Sequence, residues 1–146
     1  MTLKSVVEKF LGVRRIVDPV FGELRYQKVG FWEGWIFFRP VNENVEILID
    51  GNEEGPRESQ RDLVSQIEKR YPDLVKEAIV RAQQEVKRGK WAANVKAEEF
   101  KLEAIDLPKV EIEPNKFSLS YLHLPSGCHC KIDFEAWKAT AVLVEC

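Results

Sequence analysis

Apolar and polar residues alternate through the first third of the chain and again through the last third, with a slower rhythm between. Glu23-Leu-Arg-Tyr-Gln alternates, Trp32 to Phe38 is rich in aromatics, and Val45, Ile47 and Ile49 share one face of the next run. A period of two sends successive side chains to opposite faces, so each run predicts a strand. Asp50-Gly-Asn-Glu-Glu-Gly-Pro then reads as a turn. From Pro56 to Tyr71 the residues Leu63, Val64, Ile67 and Tyr71 recur at steps of one, three and four, the stripe of an amphipathic helix. Pro72 interrupts this pattern and suits the first turn of a second helix. That helix has its own stripe of Val75, Ala78, Ile79, Ala82 and Val86, an i,i+4 pair between Glu77 and Arg81, and a stop at Gly89.

After a connector over 92–100 the alternation returns. Candidate strands are Lys101 to Ile105, Lys109 to Glu113, Phe117 to Leu124, Cys128 to Phe134 and Trp137 to Val144. Strands, two helices and strands again predict an α+β fold: a largely antiparallel sheet with two central amphipathic helices packed on one face. The 146 residues suit a single domain spanning 1–146, long enough to bury a core without disulfide or metal. Trp32, Ile36 and Phe38 fall on one face of the aromatic strand, and Phe31, Trp35 and Phe37 on the other. A strand apolar on both faces is expected to be central and covered on both sides. The competing expectation leaves Trp35 or Phe37 for a partner or a second subunit.

Charge excludes some functions. Lys plus Arg is 22 against 24 for Asp plus Glu, without the basic excess of a nucleic-acid binder. Lys87-Arg-Gly-Lys-Trp91 is basic, but cations are favourable at a helix C-terminus in any case. No apolar run has signal-peptide or membrane-span length, so neither nucleic acid nor membrane is expected as a partner. The near-neutral total conceals a division: all five charges in 41–55 are acidic, whereas 56–91 carries nine basic and six acidic groups.

Candidate chemistry is sparse. Cys128, Cys130 and Cys146 make an odd count, and the first two lie one residue apart, a spacing that rarely makes an unstrained bridge. They read as reduced thiols of a cytoplasmic protein. His123, Cys128, His129 and Cys130 are four ligand types within eight residues. If Pro125-Ser-Gly127 is a three-residue hairpin loop, Leu124 pairs with Cys128, His123 with His129 and Leu122 with Cys130. The cysteines then lie in the core with Leu122, Leu124, Ile132 and Phe134. The histidines face each other on the opposite side, and Asp133 is roughly 13 Å away by strand rise, too far to complete a metal site. The same register separates any Cys–His dyad by face, although a slip of one residue would revive both ideas. Asp50, Asn52 and Glu54 imitate a calcium loop that fails at Arg61, where a bidentate glutamate belongs. Phosphate loop, dinucleotide fingerprint and nucleophile elbow are all lacking. Neither catalytic residues nor a cofactor or metal are expected.

Several short motifs resemble a group of small bacterial domains: Phe21-Gly-Glu-Leu24, Trp32-Glu-Gly34, the helix start Pro56 to Gln60, and Gly127-Cys-His129-Cys-Lys-Ile132, the last with altered spacing. Such domains occur among immunity proteins of polymorphic toxin systems. The resemblance implies a small cytoplasmic protein, monomer or weak homodimer, that neutralises a cognate protein toxin by direct binding and performs no chemistry. The residues expected at the contact are Glu43, Glu46, Asp50, Glu53 and Glu54, with Trp35 as an anchor. Two alternatives belong to other classes: a metal-dependent or thiol enzyme at the His123/His129 hairpin, and a homo-oligomeric structural protein joined through the aromatic strand.

Overall fold

The alternating runs do become strands. A computed structural model describes residues 14–87, 96–109 and 115–146. Its strands are β1 (Arg15–Asp18), β2 (Gly22–Gln27), β3 (Phe31–Phe38), β4 (Glu43–Asp50), β5 (Phe100–Leu107), β6 (Lys116–His123), β7 (His129–Glu135) and β8 (Lys138–Glu145). They form one eight-stranded sheet in sequence order. Neighbours pair antiparallel except β4 and β5, which run parallel and are joined through helix α1 (Glu58–Lys87). A parallel pair requires such a crossover, because a hairpin cannot return the chain in the same direction.

One helix stands where the sequence predicts two. The 30-residue α1 runs through Pro72 without ending. Proline inside a helix costs about 3 kcal/mol, because it lacks the N–H that would bond the carbonyl four residues back. The apolar stripe nevertheless crosses Pro72 in phase, and Ile67, Tyr71, Leu74, Ala78 and Ala82 are all buried against the sheet. Burying Tyr71 and Leu74 on either side of the proline stabilises by about 1.5–3 kcal/mol each, which outweighs the missing bond. Pro72 itself points to solvent. Lys109 is not in a strand, and residues 110–114, Gly89 and the basic segment 88–91 lie outside the described residues, as do the side chains of Val86 and Lys87.

The helix covers one face of the sheet only. Under it lie Leu24, Trp32, Phe38, Val45, Ile47, Ile49, Ile105, Leu119 and Ile132, all essentially inaccessible to water. The Tyr71 and Tyr121 hydroxyls, 2.9 Å apart, satisfy each other inside this layer. On the opposite face of β3, Trp35 is 65% and Phe37 57% exposed. The aromatic strand is therefore covered on one side and bare on the other.

Polar contacts of Gln60, Trp32 and Arg61 fix the helix and the loop before it to the strand ends. Gln60, fully buried, donates its amide to the carbonyls of Asp50 (2.7 Å) and Pro108 (3.0 Å), tying together the ends of the two parallel strands. Its Oε1 accepts the N–H of Arg57. The Trp32 indole donates to the Asn52 carbonyl at 2.8 Å, so the acidic loop is anchored to the core. Arg61 reaches Asp18 at the end of β1, a strand the sequence pattern misses.

The cysteine–histidine hairpin differs from expectation by one residue. Leu122 pairs with His129 and Tyr121 with Cys130. The His123 N–H bonds to the Cys128 carbonyl across a loop of Leu124 to Gly127, with Gly127 at φ 72°. Because strand faces alternate, this slip puts His123 under the helix and His129 on the bare face. The two histidines do not face each other. Nor are all three thiols reduced: Cys128 and Cys146 form a disulfide, which the continued β7–β8 register brings opposite each other, and Cys130 alone is free.

Candidate functional site

The bare face of the sheet is assembled by register. One row crosses all eight strands as Arg15, Arg25, Glu33, Leu48, Asp106, Ser118, Asp133 and Ala141. The adjacent row runs from Trp35 through Glu46, Ala104, Ser120 and Lys131 to Leu143. Side chains directly opposite on neighbouring strands stand about 5 Å apart at Cβ, so Trp35 and Glu46 are in contact range.

Carboxylates crowd this surface. Burial pushes the Glu46 carboxyl above its ordinary value, and Glu33, Asp106 and Glu103 push it further. Asp106 is likewise raised, first by burial, with Lys131 opposing and Asp50 and Asp133 adding to it. Most of the crowd has a partner. Glu33 accepts from the Gln27 amide, Glu103 lies 3.2 Å from His129 Nδ1, and Asp106 lies 3.6 Å from Lys131 Nζ. Glu46 meets neither cation nor hydrogen-bond donor among the described residues.

Two hollows flank the row. One of about 410 Å³ is bounded by Arg15, Glu23, Arg25, Glu33, Trp35 and Glu46. Within it Arg15 pairs with Glu23 at 2.6 Å, and Arg25 Nε is buried without an acceptor. The other, of about 460 Å³, lies towards the ends of β4 and β5 and is bounded by Asp50, Asp106, Lys116, Ser118, Lys131, Asp133 and Glu135. Ser118 donates to Asp133 there at 2.6 Å.

The expected contact residues divide. Trp35 and Glu46 are brought together at the centre of the bare face, and Asp50 joins the second hollow. Glu43 pairs with Phe38 at the far end of β4, about 23 Å of strand from Asp50. Glu53 and Glu54 stay exposed in the turn beyond Asp50, where the Asn52 side chain accepts the Glu54 N–H at 3.0 Å. Glu33, Glu103 and Asp106 belong to the site and were not anticipated. Alternation already puts Glu33 on the face of Trp35; what the pattern lacks is the β4–β5 pairing that brings Glu103 and Asp106 alongside.

At the hairpin, His123 is buried, with Nδ1 2.6 Å from Ser126 Oγ and Nε2 3.4 Å from Glu99 Oε2. Ser126 Oγ also accepts the Cys128 N–H, and the Gly127 N–H is engaged by the His123 carbonyl. Burial, with Glu85 adding, pushes the Cys130 thiol up to about 12, far from thiolate chemistry at neutral pH. Among the described residues no group of three or more His, Cys, Asp or Glu side chains is placed to hold a metal ion. No helix is long and apolar enough to cross a membrane among those residues. Compared with models of known protein families, with curated proteins and with solved structures, the chain matches none.

Proposed function

We propose that this chain is a protein-binding module, an immunity protein that neutralises a cationic toxin domain by docking it on the bare face of the sheet. The observation that carries this reading is the one-sided fold. A helix shields one face, while the other presents Trp35 and Phe37 among acidic groups. Large exposed aromatics with charged surroundings are the composition of an interface anchor and its rim. Like charges on the same face oppose stacking of two copies through it.

The test is co-expression with the toxic domain of a secreted protein encoded beside this chain. Growth is restored if the reading holds, and charge reversal at Glu33, Glu46 and Asp106 abolishes the rescue. Rescue that survives charge reversal moves the interface elsewhere, and absence of rescue overturns the immunity reading. Action in the cytoplasm adds a condition. Reductants there open most disulfides, so the chain must keep its fold and its binding with Cys128 and Cys146 reduced.

A further inference from the structure

We infer that the Trp35–Glu46 pair is the seat for one arginine side chain of the partner. This deepens, and rests on, the binding function proposed for the bare face. Trp35 is 65% exposed on β3 and stands directly opposite Glu46 on β4. Indole is the strongest of the aromatic faces towards a cation. Glu46 is half-buried, has no counter-charge among the described residues, and sits among three further carboxylates. Each of those three is already engaged, Glu33 by Gln27, Glu103 by His129 and Asp106 by Lys131. Glu46 is thus the one carboxylate of these four with neither an ion pair nor a hydrogen-bond donor among the described residues, and it stands beside an open indole.

Arginine fits this pair better than lysine. Its planar guanidinium stacks on an aromatic face while its edge presents two parallel N–H groups to a carboxylate. An ammonium can meet only one of the two at its best geometry. The hollow of about 410 Å³ beside Trp35 gives the arriving side chain room; its own cations are Arg15, paired with Glu23, and Arg25.

The experiment titrates the full chain with capped hexaarginine and capped hexalysine at low ionic strength, following heat and the Trp35 indole N–H resonance. Hexaarginine should shift that resonance and bind several-fold tighter than hexalysine. Glu46→Gln and Trp35→Leu should each weaken it about tenfold, the loss expected for one desolvated charge or stacking contact. Glu98→Gln, which removes the same charge from the exposed turn before β5, should change it less than about twofold. All three positions are outside the core, so the variants should keep the fold. Equal losses in Glu46→Gln and Glu98→Gln, or equal binding of the two peptides, overturn the arginine seat. If hexaarginine then still perturbs the amides of Leu48, Ala104 and Ser118, the bare face keeps its binding role. Absence of binding by either peptide overturns both.

Discussion

Arg61 grips Asp18 with two nitrogens, Nε at 2.9 Å and Nη2 at 2.6 Å from Oδ1, and so fastens the edge strand β1 to the first turn of α1. Burial alone would raise the Asp18 carboxyl, but Arg61 and the N–H groups of Phe21 and Val20 hold it below its ordinary value. Its folded state is thus the better acid. The stability it supplies is present above the unfolded value of 3.8 and is lost as pH falls through the lowered folded value. Arg61→Ala strands a buried carboxylate and should cost about 3 kcal/mol in urea unfolding. The difference from the parent chain should shrink in acid, and a pH-independent difference would contradict this assignment.

Glu46 has the opposite sign. Its carboxyl is raised, so its ionised form opposes folding at neutral pH, and protonation relieves that as pH falls. Glu46→Gln should therefore raise stability at pH 7 by about 0.5 kcal/mol, with the gain disappearing below the raised value. A thermal melt series across pH reads this directly.

Gln60 donates to two carbonyls at once from a fully buried position. Gln60→Ala removes a donor from both the Asp50 and the Pro108 carbonyl and should cost about 2 kcal/mol. Gln60→Glu should be worse, since a carboxylate would face the same two oxygens. Chemical denaturation of the pair ranks them, and the reverse order would refute the clamp.

Gly34 lies so close to β2 that an added Cβ would stand 2.7 Å from the Glu23 carbonyl oxygen and 2.8 Å from Leu24 Cδ2. Leu24 can rotate away, but the backbone oxygen cannot. Gly34→Ala should thus cost about 1–3 kcal/mol, and Leu24→Val in the same chain should recover none of it. Recovery would place the conflict at the side chain instead.

The disulfide closes a loop of 18 residues between Cys128 and Cys146. Constraining the unfolded chain by a loop of that length is worth about 3 kcal/mol. Reductant should lower the melting temperature of the parent chain and leave Cys146→Ser unchanged. Equal melting with and without reductant would show that the bond contributes nothing.

Residues with a strong local pattern disclosed their own structure. The alternation over Val45 to Ile49 and over Phe117 to His123 identifies strands without any tertiary knowledge. Pro72 misled because a local rule about proline was set against a stripe that continues unbroken across it, from Ile67 to Ala82. Pattern alone left the hairpin register undetermined, because either the Leu122 and Leu124 face or the Tyr121 and His123 face could turn inward, and the second does, with Tyr121 meeting Tyr71. The acidic site was half legible. Trp35 and Glu46 were identified singly, but their company depends on Glu103 and Asp106, which reach β4 only through the parallel pairing at the far side of the helix.

The sheet consists of two meanders, β1–β4 and β5–β8, each built from hairpins between neighbours in the chain. Hairpins close quickly because their ends are near, whereas pairing Glu46 with Ala104 must bring distant residues together. Folding should therefore stall last at the seam between the meanders, with Gln60 as the latch that keeps it shut. That seam runs beneath Glu46, Glu103 and Asp106, so repulsion among these carboxylates should slow the final join.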